Sequence, residues 1–345
     1  MHKSFLFKKN KQLTENNLIE KALSGIKFSK EEIAFLLLEA NPEWVYEIAN
    51  EIKKRVKGNV VYLRAIIEFS NYCRNNCLYC GIRRDNRELK RYRMKEEEIL
   101  EIAEKISKQG FKTIVLQSGE DPFWDAKRLS RLIKEIKNLG VVVTLSVGEM
   151  DYEDYKVLKE AGADRFLLKH ETIDKRLFSW LKPDTNLTKR VRCLNWLKKL
   201  GYETGTGCIV GLPGQRIETL VEDLLFLQEI SPEMVGHGPF IPHPQTPLAF
   251  FPSGNPWLTL KLIALTRMIL PKANIPATTA LNVLAPDLRF KAFLAGANVL
   301  MPDLTPDQYK LHYEIYPGKG SYRINLEEYF RFFEKENLRT DLKPV

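Results

Sequence analysis

The sequence predicts an α/β chain that closes into a (β/α)8 TIM barrel, with a helical extension before it and a helix after it. Three observations lead there. From Val60 onward, eight short β-branched or apolar runs alternate with amphipathic segments, the pattern of parallel strands joined by helical crossovers. The eight units occupy about 245 residues, against about 250 for a typical barrel. Nearly every unusual residue sits where a run ends and its loop begins, the face on which such barrels build active sites. An open doubly wound sheet is the alternative, and the third observation favours the barrel.

In chain order, residues 1–58 read as the helical N-terminal extension. Apolar positions recur at helical spacing in EEIAFLLLEA and EWVYEIANEIKKRV, with lysine-rich polar faces. The barrel is expected over 59–320. Its candidate strands are VVYLRAIIEF (60–69), TIVLQ (113–117), VVVTLSV (141–147), RFLLKHE (165–171), TGTGCIVG (204–211), MVGHGPFIP (234–242), IPATTAL (275–281) and NVLMP (298–302). The intervening KEEEILEIAEKISKQG has an acidic first turn, apolar Ile99, Ile102, Ala103 and Ile106, and a stop at Gly110. Similar helix patterns are LSRLIKEIKNLG, DYKVLKEAGA, LNWLKKLG, ETLVEDLLFLQEI and LTLKLIALTRMIL. Residues 321–345 read as a helical segment of the same domain, NLEEYFRFFEKENL forming one amphipathic helix.

Composition narrows the function classes. The 345 residues carry 53 Lys plus Arg against 44 Asp plus Glu, a formal charge of +9. Much of the excess is lysine scattered over solvated helix faces, not interleaved with aromatics as in RNA-binding surfaces, so nucleic acid is not the expected partner. The opening MHKSFLFKKNK has no apolar core and no small-residue cleavage site, and LKLIALTRMILP is too short and too charged to span a bilayer. A cytoplasmic protein without membrane contact is expected. GTGCIVGLPG is neither a dinucleotide fingerprint nor a phosphate loop; its glycines serve either close approach to a ligand or tight barrel packing.

The five cysteines include three within eight residues, Cys73, Cys77 and Cys80, in a loop directly after the first strand. An odd, clustered set argues for metal or redox chemistry rather than a disulfide framework. Structural zinc would need a fourth Cys or His nearby, and a thioredoxin-type pair would leave Cys73 unexplained. A four-iron cube held by three thiolates keeps one iron open, which is what a catalytic cluster needs. Cys193 and Cys208 fall in a helix and a strand pattern and read as small core residues. His170, His237 and His243 read as hydrogen-bonding or packing residues rather than metal ligands.

The spacing C-x3-C-x2-C with Tyr79 before the last cysteine, placed after the first strand of a barrel, resembles the radical S-adenosylmethionine (SAM) superfamily. In order along 60–320, IIEFSNYCRNNCLYCGIRRDNRELKRYRM, TIVLQSGEDP, LLKHET, GLPGQ, GPFIPHPQTPLA, NIPATTAL, GANVLMPDLTP and YEIYPGK are similar to HydE, the [FeFe]-hydrogenase maturase family related to PylB and biotin synthase. The resemblance implies one [4Fe-4S] cluster on Cys73, Cys77 and Cys80, and SAM chelating its open iron. It implies SAM contacts from Tyr79, Ser118, Gly119, Glu120, Ser146, Glu171 and Arg190: a glycine turn and carboxylate for the amino group, a carboxylate for the ribose, a guanidinium for the methionyl carboxylate. The substrate is expected near Gln117, Thr144, Lys169, Met234, Thr278, Thr279, Met301, Tyr313 and Tyr316.

The family implies reductive cleavage of SAM and attack on an organometallic iron-cysteine precursor delivered by HydG, for assembly of the H-cluster with HydF. Electrons would come from a reductant such as ferredoxin or flavodoxin. Two departures stand out. Many HydE proteins carry a second cysteine group after YPGK, where this chain reads GSYRINLEEYF, so one cluster is expected. An arginine is more usual at Lys169, which exchanges a fork for a point charge. An amino-acid mutase such as methylornithine synthase, and a non-catalytic carrier of a metal precursor, are the other readings.

Overall fold

The computed structural model describes residues 14–342. The segment MHKSFLFKKNK and the last three residues lie outside the described residues. Three helices lead in: α1 (Glu15–Leu23), α2 (Lys30–Leu38) and α3 (Pro42–Lys57). Each starts at a polar cap. Ser29 and Glu32 form a reciprocal capping box on α2, and Asn41 accepts from Glu43 and Trp44 N–H groups ahead of Pro42 on α3.

Eleven strands follow among the described residues: β1 (Val60–Leu63), β2 (Ala65–Ser70), β3 (Thr113–Ser118), β4 (Val142–Ser146), β5 (Arg165–Leu167), β6 (Glu203–Thr206), β7 (Ile209–Val210), β8 (Met234–Val235), β9 (Gly238–Pro239), β10 (Val299–Leu300) and β11 (Arg339–Thr340). Parallel pairing runs β2-β3-β4-β5-β6-β8. Beyond β8 the ring closes through single parallel bridges: Met234 with Asn274, Pro276 with Val299, then β10 with β1 and Ile66 with Asp303. Backbone bonds from Val235 N–H to Asn274 O (3.0 Å), Ala277 N–H to Val299 O (3.1 Å) and Ile66 N–H to Pro302 O (2.8 Å) complete the circuit. The eight predicted runs are thus the eight staves of a closed barrel.

The staves are more broken than the sequence suggests. IPATTAL contributes only the bridge at Pro276, because proline has no N–H for a ladder and Thr279 already opens a helix. The fifth run divides into β6 and β7 at Gly207, where a Cβ would stand 2.0 Å from Gly236 O. Of the two readings of these glycines, close packing of neighbouring staves is the one this position supports. The sixth run divides likewise, and β7 pairs with β9 as a separate two-stranded sheet. After the final helix, β11 pairs with β1, a strand absent from the helical reading of that segment.

The outer helices are α4 (Glu96–Lys108), α5 (Ala126–Lys137), α6 (Tyr152–Glu160), α7 (Lys175–Leu181), α8 (Leu187–Lys199), α9 (Ile217–Ile230), α10 (Pro256–Ile269), α11 (Thr279–Leu284), α12 (Lys291–Leu294), α13 (Asp307–Lys310) and α14 (Leu326–Lys335). The run LTLKLIALTRMIL is buried along nearly its whole length as α10, between α9 and the lead-in helices α1 to α3. Its fully buried Arg267 donates to the carbonyls of Gly296, Pro271 and Ala273 and to Asn298 Oδ1, all within 2.6–2.9 Å. That satisfaction is what lets a guanidinium sit in the core.

Candidate active site

The staves open at their C-terminal ends onto a cavity of about 360 Å3, within the range of small-molecule sites. The cysteine loop forms one wall, and Cys73, Cys77 and Cys80 all line it. Arg91 is the strut of this loop, donating to the carbonyls of Asn71 (2.5 Å), Ile82 (2.9 Å), Arg83 (2.5 Å) and Asn86 (3.2 Å). Arg93 holds the loop exit by a two-pronged bond to Asp121 (2.7 and 2.9 Å), which also accepts from Ser70 Oγ. At Gly119 a side chain would collide with Tyr72 O at 2.2 Å, so this glycine is required by the crossing of the cysteine loop itself.

Next to the loop lies an ionic network. Arg190, on α8, donates through Nε to Glu149 Oε1 (2.7 Å) and through Nη1 to Lys169 O (2.6 Å), and its Nη2 stands 4.0 Å from Glu120 Oε1. Arg74 reaches Glu120 Oε2 at 3.3 Å. Glu171 adopts φ +63°, unusual for a side chain larger than glycine, and is pinned by bonds from its N–H to Gly207 O and from Ile209 N–H to its carbonyl. Burial alone would raise the Glu171 pKa, but Lys169, Lys182 and Arg190 more than offset it and hold it below the ordinary value. Lys169 Nζ lies 3.3 Å from Glu171 Oε2, so this lysine is paired rather than free.

The rest of the lining is built differently, and its tyrosine segment packs on the cysteine loop through Gly81 N–H to Ile315 O (3.0 Å). Thr278, Thr279, Met301, Tyr313 and Tyr316 line it with Gln117, whose amide donates to Tyr313 Oη at 3.4 Å. Thr278 is the N-cap residue of α11, yet its hydroxyl makes no cap bond and has no protein partner. Burial holds both tyrosine pKa values well up, leaving neutral phenols. Behind them Lys319 bridges Glu68 Oε1 (2.6 Å) and Asp303 Oδ2 (2.8 Å).

The cavity brings together most of the residues expected there. Tyr79, Ser118, Gly119, Glu120, Ser146, Glu171 and Arg190 line it, as does Lys169. Two expected substrate residues do not. Met234 is buried with Sδ 2.9 Å from Arg64 Nη1, and Thr144 is buried within β4, its hydroxyl unpartnered. Lys182, Glu149 and Lys319 were not anticipated. Glu149 lies three residues past the end of β4 and Lys319 falls inside YPGK, so both carried a positional signal. Lys182, one residue past α7, carried none.

A separate buried cluster lies outside the cavity lining. His170, Cys208 and Asp223 are fully buried with ligand atoms within 4.8 Å of one another. Each makes a hydrogen bond, His170 Nδ1 with Thr206 Oγ1 (3.0 Å), Asp223 Oδ1 from Ile173 N–H (2.6 Å), and Cys208 Sγ with His237 Nδ1 (3.1 Å), while His170 Nε2 and Asp223 Oδ2 make none among the described residues. This cluster braces the turn that carries Glu171. His243 likewise accepts from Gln245 N–H.

The cysteine set fits an iron-sulfur group. Burial raises the pKa of Cys73 and Cys80, and each further thiolate repels the others. Three adjacent thiolates therefore need a soft cationic partner, which a cluster supplies. Lys182 Nζ, 3.2 Å from Cys77 Sγ, and the nearby Arg91 add positive charge to the same wall.

Comparison with known proteins agrees with this geometry. The pattern of the Radical SAM superfamily matches residues 67–227. The chain is 56% identical over 277 residues to the [FeFe] hydrogenase maturase subunit HydE of Thermotoga maritima, covering 80% of each chain. It is 33% identical over 315 residues to the 3-methylornithine synthase of Methanosarcina acetivorans, covering 90% of this chain and 87% of that one. Among solved structures, methylornithine synthase (PylB) superposes with a TM-score of 0.83 at 28% identity, over 94% of this chain and 97% of that one. Among the described residues no helix is long and apolar enough to cross a membrane. The chain is a radical SAM enzyme that uses a [4Fe-4S] cluster and SAM, and it belongs to the HydE family of that superfamily.

Proposed function

We propose that the enzyme cleaves SAM reductively and turns the resulting radical on an anionic, iron-bound cysteine precursor in assembly of the [FeFe]-hydrogenase H-cluster. The observation that carries this reading is the lack, among the described residues, of a free carboxylate on the substrate side of the cavity. Its cations are largely paired, Lys169 with Glu171, Arg190 with Glu149 and Lys319 with Glu68 and Asp303, and the carboxylates in its lining are Glu120 and Glu171, beside the cysteine loop. A pocket for the ammonium of lysine would need carboxylates on the substrate wall, where Glu68 and Asp303 are committed to Lys319 behind the tyrosines.

Cys73, Cys77 and Cys80 would hold the cluster; with SAM bound, the pair supplies one-electron cleavage of the sulfonium to methionine and a 5′-deoxyadenosyl radical. Glu120 accepts from the methionyl ammonium, Arg190 turns its Nη2 to the methionyl carboxylate, and Glu171 accepts from the ribose hydroxyls. Tyr79, Ser118, Gly119 and Ser146 complete that cradle. In the rest of the lining Thr278 offers its unpartnered hydroxyl, with Gln117, Thr279 and the phenols of Tyr313 and Tyr316 as further donors. Met301 contributes a soft apolar surface that keeps water from the radical. Thr144, within β4, and Met234, against Arg64, lie buried outside the lining. HydG as the source of the precursor, HydF as the recipient of the product, and ferredoxin or flavodoxin as reductant are the partners this role entails.

The test is anaerobic incubation with dithionite, SAM and one candidate substrate at a time: a ferrous cysteine complex bearing carbonyl and cyanide, or L-lysine. Deoxyadenosine above the substrate-free rate with the iron complex alone is the expected result. Rearrangement of lysine would make the enzyme a mutase on the same barrel, and no SAM cleavage with either would favour a carrier.

A further inference from the structure

We propose that Lys182 tunes the cluster: its ammonium hydrogen-bonds the sulfur of Cys77 when that cysteine ligates iron, and thereby raises the reduction potential. The proposal rests on the assignment of Cys77 as a ligand. Lys182 is 6% exposed and Cys77 is 7% exposed. Its Nζ lies 3.2 Å from Cys77 Sγ, within hydrogen-bonding reach for a sulfur acceptor, and 5.9 Å from the centre of the Tyr79 ring.

The lysine is held in place by the seam between α7 and the cysteine loop. Its own N–H donates to Phe178 O (2.9 Å), the neighbouring Leu181 carbonyl accepts from Leu78 N–H (2.9 Å), and Asp184 accepts from Asn76 N–H (2.5 Å). These contacts within residues 181–184 hold the base of the side chain beside the cysteine loop. Its surroundings otherwise call for an apolar residue: Leu177, Leu181, Leu212, Phe240 and Leu248 form a cluster here, with Leu78 and Tyr79 packed against it. The cavity carboxylates Glu171 and Glu120 also favour the charge on Lys182, but each already faces another cation, Lys169 and Arg74, and Cys77 favours it more than either. A cation buried at the cavity wall beside this apolar cluster is costly unless an anion faces it. A cluster held by thiolates is that anion. Accepting one electron makes it more negative while Lys182 keeps its proton and no bond is made or broken, so the fixed positive charge favours the reduced form.

The test uses the anaerobically reconstituted full chain without SAM, titrated with dithionite as one-electron donor and followed by electron paramagnetic resonance. Lys182→Met is expected to retain four irons but to show, at the wild-type midpoint, about tenfold less reduced cluster relative to oxidised. Tenfold is the order given by one charge-assisted hydrogen bond, and for a one-electron couple it equals a downward shift of about 59 mV. Lys182→Arg should restore most of the potential. An unchanged midpoint in the iron-replete Met variant overturns the proposal, as does a shift seen only with SAM present, which would assign the lysine to that ligand. Should the Met variant fail to hold iron, Lys182→Arg is compared with Lys182→Gln: a lower midpoint in Gln supports the proposal and equal midpoints overturn it. Cys77→Ser is the separate control on the ligand assignment. If it keeps wild-type iron and spectrum, that assignment fails and the tuning role falls with it.

Discussion

The cysteine wall and the tyrosine wall enclose one cavity but are organised by different forces. The first is a loop contiguous in sequence, strutted by Arg91 on four carbonyls and flanked by the Glu149–Arg190 pair and the positive-φ Glu171. The second gathers Gln117, Thr278, Met301, Tyr313 and Tyr316 from distant parts of the chain, backed by the buried Glu68–Lys319–Asp303 group. Fixed charges in place before binding suit the cofactor side, where the same ligand always docks. Neutral donors with soft surfaces suit the side that receives a substrate, and leave its specificity open to small changes of side chain.

The largest expected effect breaks the first wall. Cys77→Ser should abolish SAM-dependent deoxyadenosine formation and most bound iron, whereas Cys193→Ala, buried on α8 with Sγ 3.8 Å from Met150 O, should retain both. Iron analysis and product assay read the two together. Equal loss in both variants would remove the distinction between ligand and packing cysteines.

On the second wall the failure should be one of stability. Lys319→Met takes the nearer cation from Glu68 and Asp303, leaving Asp303 with Lys310 at 3.7 Å, and breaking a buried pair of this kind costs about 3–5 kcal/mol. Denaturant unfolding measures it; a loss below about 1 kcal/mol would mean that water already reaches these carboxylates.

Acid and alkali should separate the walls. Burial would raise the Glu149 pKa, but Arg190 and Thr185 more than offset it and hold it below the ordinary 4.5. Its folded pKa is below its unfolded one, so its stabilisation is present above about pH 4.5 and lost as pH falls through the lowered value. Glu68 is opposite: burial, aided by Asp303, outweighs the pull of Lys319 and keeps its pKa raised. The folded state then holds the proton longer, and stability declines as pH rises above about 4.5 toward the raised value. Glu149→Gln should flatten the acid limb of a Tm-against-pH curve and Glu68→Gln the limb above it. Identical curves for the two variants would contradict the contrast.

The smallest effect joins the walls. Lys169 is partly exposed and sits 3.3 Å from Glu171, so Lys169→Met should weaken SAM binding less than tenfold and, on the proposed function, weaken binding of the iron-cysteine precursor as well. Unchanged SAM affinity, measured by calorimetry, would show that the two sites are independent at this residue.

The cysteine loop was legible because its three cysteines lie within eight residues, and a short loop after a strand can reach one small group without help from distant chain. The eight staves were legible for a similar reason: strand and crossover helix each bury a face whose period is written locally. The sequence could not say where a stave stops. IPATTAL reads as a strand, yet it supplies one bridge and a helix cap, because partner registry and the missing proline N–H decide the ladder.

The charged interior was set by tertiary structure alone. Lys182, Lys319, Glu68 and Asp303 are ordinary surface residue types, and no spacing marks them for burial. Their pairings span large separations, 105 residues for Lys182 and Cys77. Met234, expected in the cavity, was carried behind it by the barrel and meets Arg64. Local periodicity determines which face of an element is apolar. Which polar groups that face traps against one another is fixed only when the ring of staves closes and water is expelled, since the strength of each pairing depends on the dielectric created by that closure.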